Sequence, residues 1–304
     1  MTATRTSTTG VEAATQAEAR PRIGLLGIMQ GLYDEMLPAS PTARRPTRAT
    51  SPALAAGDDD VAAVIADEDA RFEIDPRLSR DEREDHARMQ LGIERVLTDA
   101  GCRAYSTHFD AIAEDGRFDR LPLAAASTLM ARGYGYGAEG DGLTAALMAA
   151  ARTLLGDTQF TEMYAMDFAS DSILMSHMGE GNWALARDDR PVRLIKRPLA
   201  IGGLGDPPTF LFQYATGPAT LATLVALGGE RFRLVVSEGE IIDTDELPKL
   251  EMPYGQFRPR SGVRDCMHAW LRLGGPHHQV LNPGHRAADW ELFCELAGIE
   301  LALA

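Results

Sequence analysis

Apolar residues recur with a helical period in the first half of the chain and fall into short runs between turns in the second half. Ser79-Arg-Asp-Glu82 is a capping box, so the apolar stripe that follows it predicts a helix ending before Gly101. Cys102–Phe109 has the pattern of a strand, and helical patterns return over Leu121–Ala131 and Leu143–Leu155. This alternation predicts a central α/β domain over residues 58–156.

Beyond Gly156 the helical patterns shorten, and Pro and Gly turns separate short apolar runs. Such spacing is typical of an antiparallel sheet or barrel, which we expect over residues 157–304. The chain closes with a predicted helix over Ala288–Ala297 and a strand-like run, Ile299–Leu303. The short runs are Ser172–Met178, Val192–Lys196, Thr209–Tyr214, Phe232–Val236 and Gln279–Leu281.

The N-terminal part has only one apolar run, Arg22–Met29. We interpret it as the buried first strand of an α/β unit within residues 21–37, followed by a loop where open α/β sheets place ligands. A strand followed by an ordinary surface turn is the alternative. The sequence predicts a disordered tail over residues 1–20 and a linker over the Pro-, Ala- and Arg-rich residues 38–57.

Composition narrows the classes of function. The formal net charge of −14 over 304 residues argues against a nucleic-acid partner, because no basic surface is available for phosphates. No apolar run approaches the length of a membrane span, and the N-terminus lacks the apolar core of a secretory signal. The three cysteines form no CxxC pair. We therefore expect a cytoplasmic protein without a disulfide framework or a membrane partner.

A glycine-rich run, Gly135-x-Gly137-x-x-Gly140, matches the dinucleotide-binding fingerprint in form. That fingerprint needs a strand just before its first glycine, whereas the pattern here predicts a helix. Glu139 would also point a carboxylate at the pyrophosphate. We interpret the glycines instead as freeing the backbone to turn and present Glu139 at the start of the next helix.

Glu139, Glu162 and His177 lie close together in sequence among small and apolar residues. Singly they mean little, because a lone glutamate is normally solvated and a lone histidine is more often structural. A later pair, His277 and His278, offers a further nitrogen ligand, and only one of the two should coordinate because neighbours on a strand face opposite ways. Two carboxylates and two imidazoles suit Mn²⁺, Co²⁺ or Fe²⁺. An unrelated metal hydrolase could use the same ligands.

These motifs together resemble the L-arabinose isomerase family. The resemblance rests on Gly-Tyr-Gly-Tyr-Gly-Ala-Glu139-Gly-Asp, Thr-Glu162-Met-Tyr164, Leu-Met-Ser-His177-Met, Gly-Gly-Pro-His-His278 and Glu295-Leu-Ala-Gly-Ile-Glu300. It covers most of residues 60–304. It implies an α/β N-terminal domain, here reduced to its first strand, a central α/β domain, a C-terminal antiparallel β-barrel and assembly as a homo-oligomer.

The resemblance also implies roles for individual residues. Glu139, Glu162, His177 and His278 would bind Mn²⁺, and the two glutamates would move protons during aldose–ketose isomerisation of a small sugar. Sugar contacts would come from the residues that match those of the family, which are Gln30, Leu32, Tyr33 and Phe109. Its place beside His278, and not the resemblance, predicts that His277 caps, donates a hydrogen bond or contacts substrate.

Three departures from the family pattern affect these expectations, and one of them is a barrel region that is somewhat short. After Tyr33 the chain passes into residues 38–57 instead of the rest of an N-terminal domain, and Gly142-Leu143 replaces a Trp-Lys pair that commonly follows the Glu-Gly-Asp motif. The first hypothesis is thus a metal-dependent isomerase that acts on L-arabinose or a related sugar. The alternative is a truncated relative that binds metal or sugar without turnover.

Overall fold

The computed structural model describes residues 22–25, 56–115, 118–199 and 203–304. Within these residues the chain forms the helices and strands that follow. The helices are α1 (Asp58–Arg71), α2 (Arg80–Asp99), α3 (Phe109–Asp115), α4 (Leu123–Ala131), α5 (Gly142–Leu155), α6 (Val263–Arg272) and α7 (Ala287–Ala297). The strands are β1 (Arg22–Leu25), β2 (Glu73–Ile74), β3 (Cys102–Ser106), β4 (Gly135–Gly137), β5 (Gln159–Asp167), β6 (Ser172–Ser176), β7 (Arg193–Lys196), β8 (Pro208–Leu211), β9 (Gly217–Gly228), β10 (Arg231–Ile242), β11 (Tyr254–Pro259), β12 (His278–Pro283) and β13 (Glu300–Leu303).

Helix α2 begins at the predicted capping box. The Ser79 hydroxyl accepts a hydrogen bond from the Glu82 backbone N–H, and the Glu82 carboxylate accepts one from the Ser79 backbone N–H. Helix α1 packs against α2 through Val61, Ile65 and Ala87. The predicted helix is thus confirmed, with Asp99 as its last residue.

The central region contains a parallel sheet whose described strands run in the order β1-β3-β4. The predicted first strand is confirmed over Arg22–Leu25, and it pairs with β3 in the central sheet. The prediction of a strand through Phe109 was too long. The Thr107 carbonyl accepts a hydrogen bond from Gly140 N–H, which turns the chain out of the sheet, and Phe109 opens α3 instead.

The glycine-rich run holds a strand that the pattern did not predict. Gly135–Gly137 forms β4, which pairs in parallel with β3, and a short turn leads from it into α5. The expectation that a helix precedes the first glycine is confirmed, since α4 ends at Ala131, although a strand begins at that glycine. Small residues allow the close approach, because a Cβ on Gly137 would lie 2.2 Å from the Asp141 carbonyl oxygen.

The second half forms an antiparallel barrel, as the turn spacing predicts. In the described chain, six strands are hydrogen-bonded in the order β11-β6-β5-β12-β9-β10, and β10 pairs with β11 to close the ring. β13 adds in parallel to the outside of β10. The fold class is confirmed as α/β followed by an antiparallel barrel.

Two of the predicted short runs lie outside the barrel. β7 and β8 pair with each other, and β2 from the central region joins β7 in parallel. The sequence pattern did not identify β5, β9, β11 or α6 as elements. The predicted final helix and strand are confirmed as α7 and β13. No helix in the described chain is long and apolar enough to cross a membrane.

Candidate metal and active site

Three of the predicted ligands come from one end of the barrel. Glu162 on β5 stands opposite His278, the first residue of β12, in antiparallel register. Glu162 also pairs with Ser176 at the end of β6, and His177 follows at once. Ligand atoms of Glu162, His177 and His278 lie within 4.8 Å of one another. Neighbouring strands therefore bring together residues that are far apart in sequence.

Glu139 approaches this cluster from the central sheet. It lies in the turn between β4 and α5 with a φ of +59°, in the left-handed region that few residues other than glycine adopt. Its Oε2 is 3.9 Å from His278 Nε2, and its side chain is 39% exposed. Glu139, His277 and His278 form a second group of ligand atoms within 4.8 Å of one another. A strained backbone at a residue of a candidate site is typical of functional positions.

Asp141 holds the His278 ring. The His278 Nδ1–H donates to Asp141 Oδ2 over 3.0 Å, and Asp141 also accepts from the Thr144 N–H and hydroxyl. Burial raises the pKa of Asp141, but the hydrogen bonds from His278 and Thr144 outweigh burial and lower it. His278 Nε2 is buried and has no hydrogen-bond partner among the described residues. The ring thus aims an unsatisfied nitrogen at the cluster.

Glu180 holds the His177 ring in the same way. The two groups lie 2.7 Å apart, from His177 Nδ1 to Glu180 Oε2, and Tyr136 donates its hydroxyl to Glu180 Oε1 over 2.9 Å. Burial lowers the pKa of His177, but the charge of Glu180 and its hydrogen bond raise it overall. Burial raises the pKa of Glu180, and the charge of His177 reverses that effect and lowers it.

Apolar side chains surround the cluster. The Phe160 ring lies 4.8 Å from the His177 ring and 5.1 Å from the His278 ring, between centroids. A pocket of about 180 Å³ opens beside Glu139 and His177, and Phe109 lines it. Its remaining apolar wall consists of Ile112, Leu121, Pro122, Leu123, Ala138 and Met178. A concave, largely apolar pocket with a few converging charged groups is the usual form of a small-molecule site.

The structure thus brings Glu162, His177 and His278 into one cluster, places Glu139 beside it through His278, and places Phe109 at the pocket. The expectation that the two neighbouring histidines face opposite ways was wrong, because His277 precedes β12 and its ring lies 4.4 Å from that of His278 between centroids. The two differ in burial, since the side chain of His277 is 61% exposed and that of His278 is 5% exposed. His277 Nε2 lies 3.6 Å from Glu162 Oε2. Gln30, Leu32 and Tyr33 lie outside the described residues.

Sequence reasoning missed the groups that hold the ligands. These are Asp141, Glu180, Tyr136 and Thr107. Asp141 belonged to the motif already singled out, and Glu180 follows His177 by three positions, a spacing that could have drawn attention to it. The Tyr136 and Thr107 contacts depend on the pairing of β3 with β4, which the pattern did not predict.

The donor set fits a divalent metal ion. Carboxylate oxygens and imidazole nitrogens converge, each histidine has a carboxylate behind it, and one buried ring nitrogen lacks a protein partner. Ligand histidines nearly always donate their second ring nitrogen to such a partner. Mixed oxygen and nitrogen ligands suit Mn²⁺, Co²⁺ or Fe²⁺.

Comparisons with known proteins agree on one family. The model of the L-arabinose isomerase central domain matches residues 52–157, and that of the L-arabinose isomerase C-terminal domain matches residues 157–300. The chain is 35% identical over 258 residues to an L-arabinose isomerase of Klebsiella pneumoniae subsp. pneumoniae, covering 81% of this chain and 51% of that protein. It is 36% identical over 226 residues to one from Erwinia tasmaniensis (72% of this chain, 44% of that protein) and 38% identical over 224 residues to one from Nocardioides sp. (71% and 43%).

An α/β sheet joined to a closed antiparallel barrel, with carboxylates and histidines gathered at one end of the barrel, defines a class of α/β-plus-barrel proteins with a candidate metal site. The chain belongs to the L-arabinose isomerase family. It spans about half the length of the curated relatives that it matches.

Proposed function

We propose that this chain is a metal-dependent aldose–ketose isomerase that acts on L-arabinose or a related small aldose. The observation that carries the proposal is a pair of ligand clusters that share His278, one with Glu162 and His177 and the other with Glu139 and His277. Family membership supports the reaction type.

In the proposed site the two glutamates and two histidines hold Mn²⁺. The bound ion would supply positive charge that polarises the sugar oxygens and stabilises the negative charge that develops on them. Asp141 and Glu180 would keep the imidazole rings in the orientation and tautomer that leave Nε2 for the metal.

The glutamates would then carry the protons. One carboxylate accepts the proton from C2 of the aldose, which gives an enediol, and returns it to C1. The hydroxyl proton moves from O2 to O1 through the other carboxylate, so the ketose has the same atoms as the aldose. Phe109 and the apolar wall would exclude water from the reacting carbons.

The test is Mn²⁺-dependent ketose formation from L-arabinose and a panel of other aldoses. We expect turnover in the wild type and a loss of about 10²–10⁴-fold in Glu162→Gln, because that change removes a proton carrier and keeps the side-chain shape. Glu291→Gln, on the exposed surface of α7, is the control and should keep full activity. Equal activity in wild type and Glu162→Gln would reject the assigned role.

A second candidate is a relative that binds metal or sugar without turnover. The exposure of Glu139 and His277 favours it, because proton transfer between carbons requires a site from which water is excluded. This candidate predicts Mn²⁺ binding that weakens in His177→Ala, with no ketose from any aldose of the panel. Metal-dependent ketose formation would reject it.

A further inference from the structure

Tyr136 stands one step behind Glu180, and its hydroxyl has two partners. It donates to Glu180 Oε1 over 2.9 Å and lies 2.7 Å from Thr107 Oγ1. An ionised carboxylate only accepts hydrogen bonds, so the Tyr136 proton must point to Glu180, and Thr107 must donate to the Tyr136 oxygen. The geometry thus defines a directed series of hydrogen bonds from Thr107 through Tyr136 and Glu180 to His177.

We infer that Tyr136 is a positioning residue of the metal centre, which sets metal affinity by fixing the Glu180 carboxylate against His177. The inference rests on the proposed metal centre and extends it to the parallel sheet. Tyr136 lies on β4 and Thr107 follows β3, so these hydrogen bonds connect the α/β sheet to His177, a candidate ligand that the barrel supplies.

The physical reason is that Glu180 has two oxygens with separate tasks. Oε2 accepts the His177 Nδ1–H, which leaves Nε2 as the nitrogen with a lone pair for the metal. Oε1 would be buried without a partner if the Tyr136 hydroxyl were absent, because the Glu180 side chain is only 5% exposed. The carboxylate would then rotate away from its present position, and the His177 ring would lose the hydrogen bond that fixes its orientation.

The neighbouring tyrosine provides a matched control. Tyr105 on β3 pairs directly with Tyr136 across the sheet, and both rings are buried. The Tyr105 hydroxyl has no hydrogen-bond partner among the described residues. Tyr105→Phe therefore removes the same group from the same sheet without touching Glu180.

The experiment measures the dissociation constant for Mn²⁺ at one fixed pH, from the electron paramagnetic resonance signal of the free ion. We expect it to rise about tenfold in Tyr136→Phe, which corresponds to one hydrogen bond to a charged group, and to stay unchanged in Tyr105→Phe. Glu180→Gln should raise it about 10–100-fold. In the Glu180→Gln background, Tyr136→Phe should raise the dissociation constant further by less than about twofold, because both residues act through the same hydrogen bond.

Three outcomes would overturn the inference: unchanged affinity in Tyr136→Phe, an equal rise in Tyr105→Phe, or no Mn²⁺ binding by the wild type. Thermal unfolding of each variant checks that the fold is kept. If Tyr136→Phe does not fold, Thr107→Val tests the same series of hydrogen bonds and should also raise the dissociation constant for Mn²⁺. Since the readout is affinity, a protein that shows this ranking but makes no ketose supports the role of Tyr136 and rejects the proposed catalysis.

Discussion

At the scale of single residues, Glu68, Arg83 and His86 are buried together between α1 and α2. Glu68 accepts a hydrogen bond from Arg83 over 3.1 Å and lies 2.9 Å from His86 Nε2. Arg83 also donates to the Ile65 carbonyl. Each carboxylate oxygen of Glu68 has one of these partners. Removing its charge would leave the buried Arg83 with the half-exposed Asp69, 2.8 Å from Arg83 Nη1, as its remaining ion-pair partner.

We predict that Glu68→Gln lowers the free energy of unfolding by about 1–3 kcal/mol, because it weakens the hydrogen bonds to a buried charged group while Asp69 still pairs with Arg83. Urea unfolding followed by circular dichroism measures it. Asp67→Asn, one position earlier in an exposed pair with Arg71, is the control and should change stability little. Equal stability of wild type and Glu68→Gln would show that the buried charges contribute nothing.

Residues of the candidate site were predictable when their chemistry was visible in the sequence. The four candidate ligands are polar residues in apolar surroundings, which marks them in a single sequence. The residues behind them are not marked in this way, because Tyr136 looks like an ordinary core aromatic until β4 places its hydroxyl on Glu180.

At the scale of elements, the contact of β4 with α5 depends on two glycines. A Cβ on Gly135 would lie 2.4 Å from the Ala145 carbonyl oxygen, and one on Gly137 would lie 2.2 Å from that of Asp141. Backbone atoms form both contacts, so no side-chain movement could relieve the overlap. The same turn carries Glu139 and Asp141, and its geometry therefore positions two members of the candidate site.

We predict that Gly137→Ala destabilises the fold by about 1–3 kcal/mol through overpacking and also weakens Mn²⁺ binding. Gly57→Ala serves as a control, because its added Cβ would meet only the far end of the Asp60 side chain at 3.4 Å. Calorimetry and metal titration of both variants measure the two effects. Unchanged Mn²⁺ affinity in a folded Gly137→Ala protein would contradict the link between this packing and the site.

Helices with a clear cap or a long apolar stripe were predicted well, as α2 and α5 show. The barrel strands were harder, because β9 and β10 each run for 12 residues and mix buried with exposed positions instead of alternating strictly. β4 has three residues, two of them glycines, and exists because β3 pairs with it. Such elements depend on tertiary pairing, which local pattern does not contain.

At the scale of the whole molecule, Asp75 connects the central helices with the small sheet beside the barrel. It follows β2, accepts hydrogen bonds from the Arg77 side chain and backbone, and accepts another from the Lys196 N–H on β7. The Arg77 side chain is the main cause that lowers the pKa of Asp75 from 3.8 to about 2, although burial opposes it.

A lowered pKa in the folded state means that the folded protein binds this proton less readily than the unfolded chain. The contribution of Asp75 to stability is therefore complete above pH 3.8 and is lost as the pH falls toward about 2. We predict that Asp75→Asn is less stable than wild type at pH 6 and that the difference shrinks between pH 4 and pH 2. Urea midpoints across that range measure this, and a difference that stays constant with pH would contradict it.

The candidate site takes its residues from two kinds of structure, paired strands and a turn. Glu162 and His278 pair across β5 and β12. The spacing between these two residues is that of a hydrogen-bonded sheet, which sequence drift elsewhere barely alters. Glu139 sits on a turn that a single substitution could reshape. Directed evolution of the proposed enzyme should therefore tolerate more change in the turn around Glu139 than at Glu162 and His278 of the barrel.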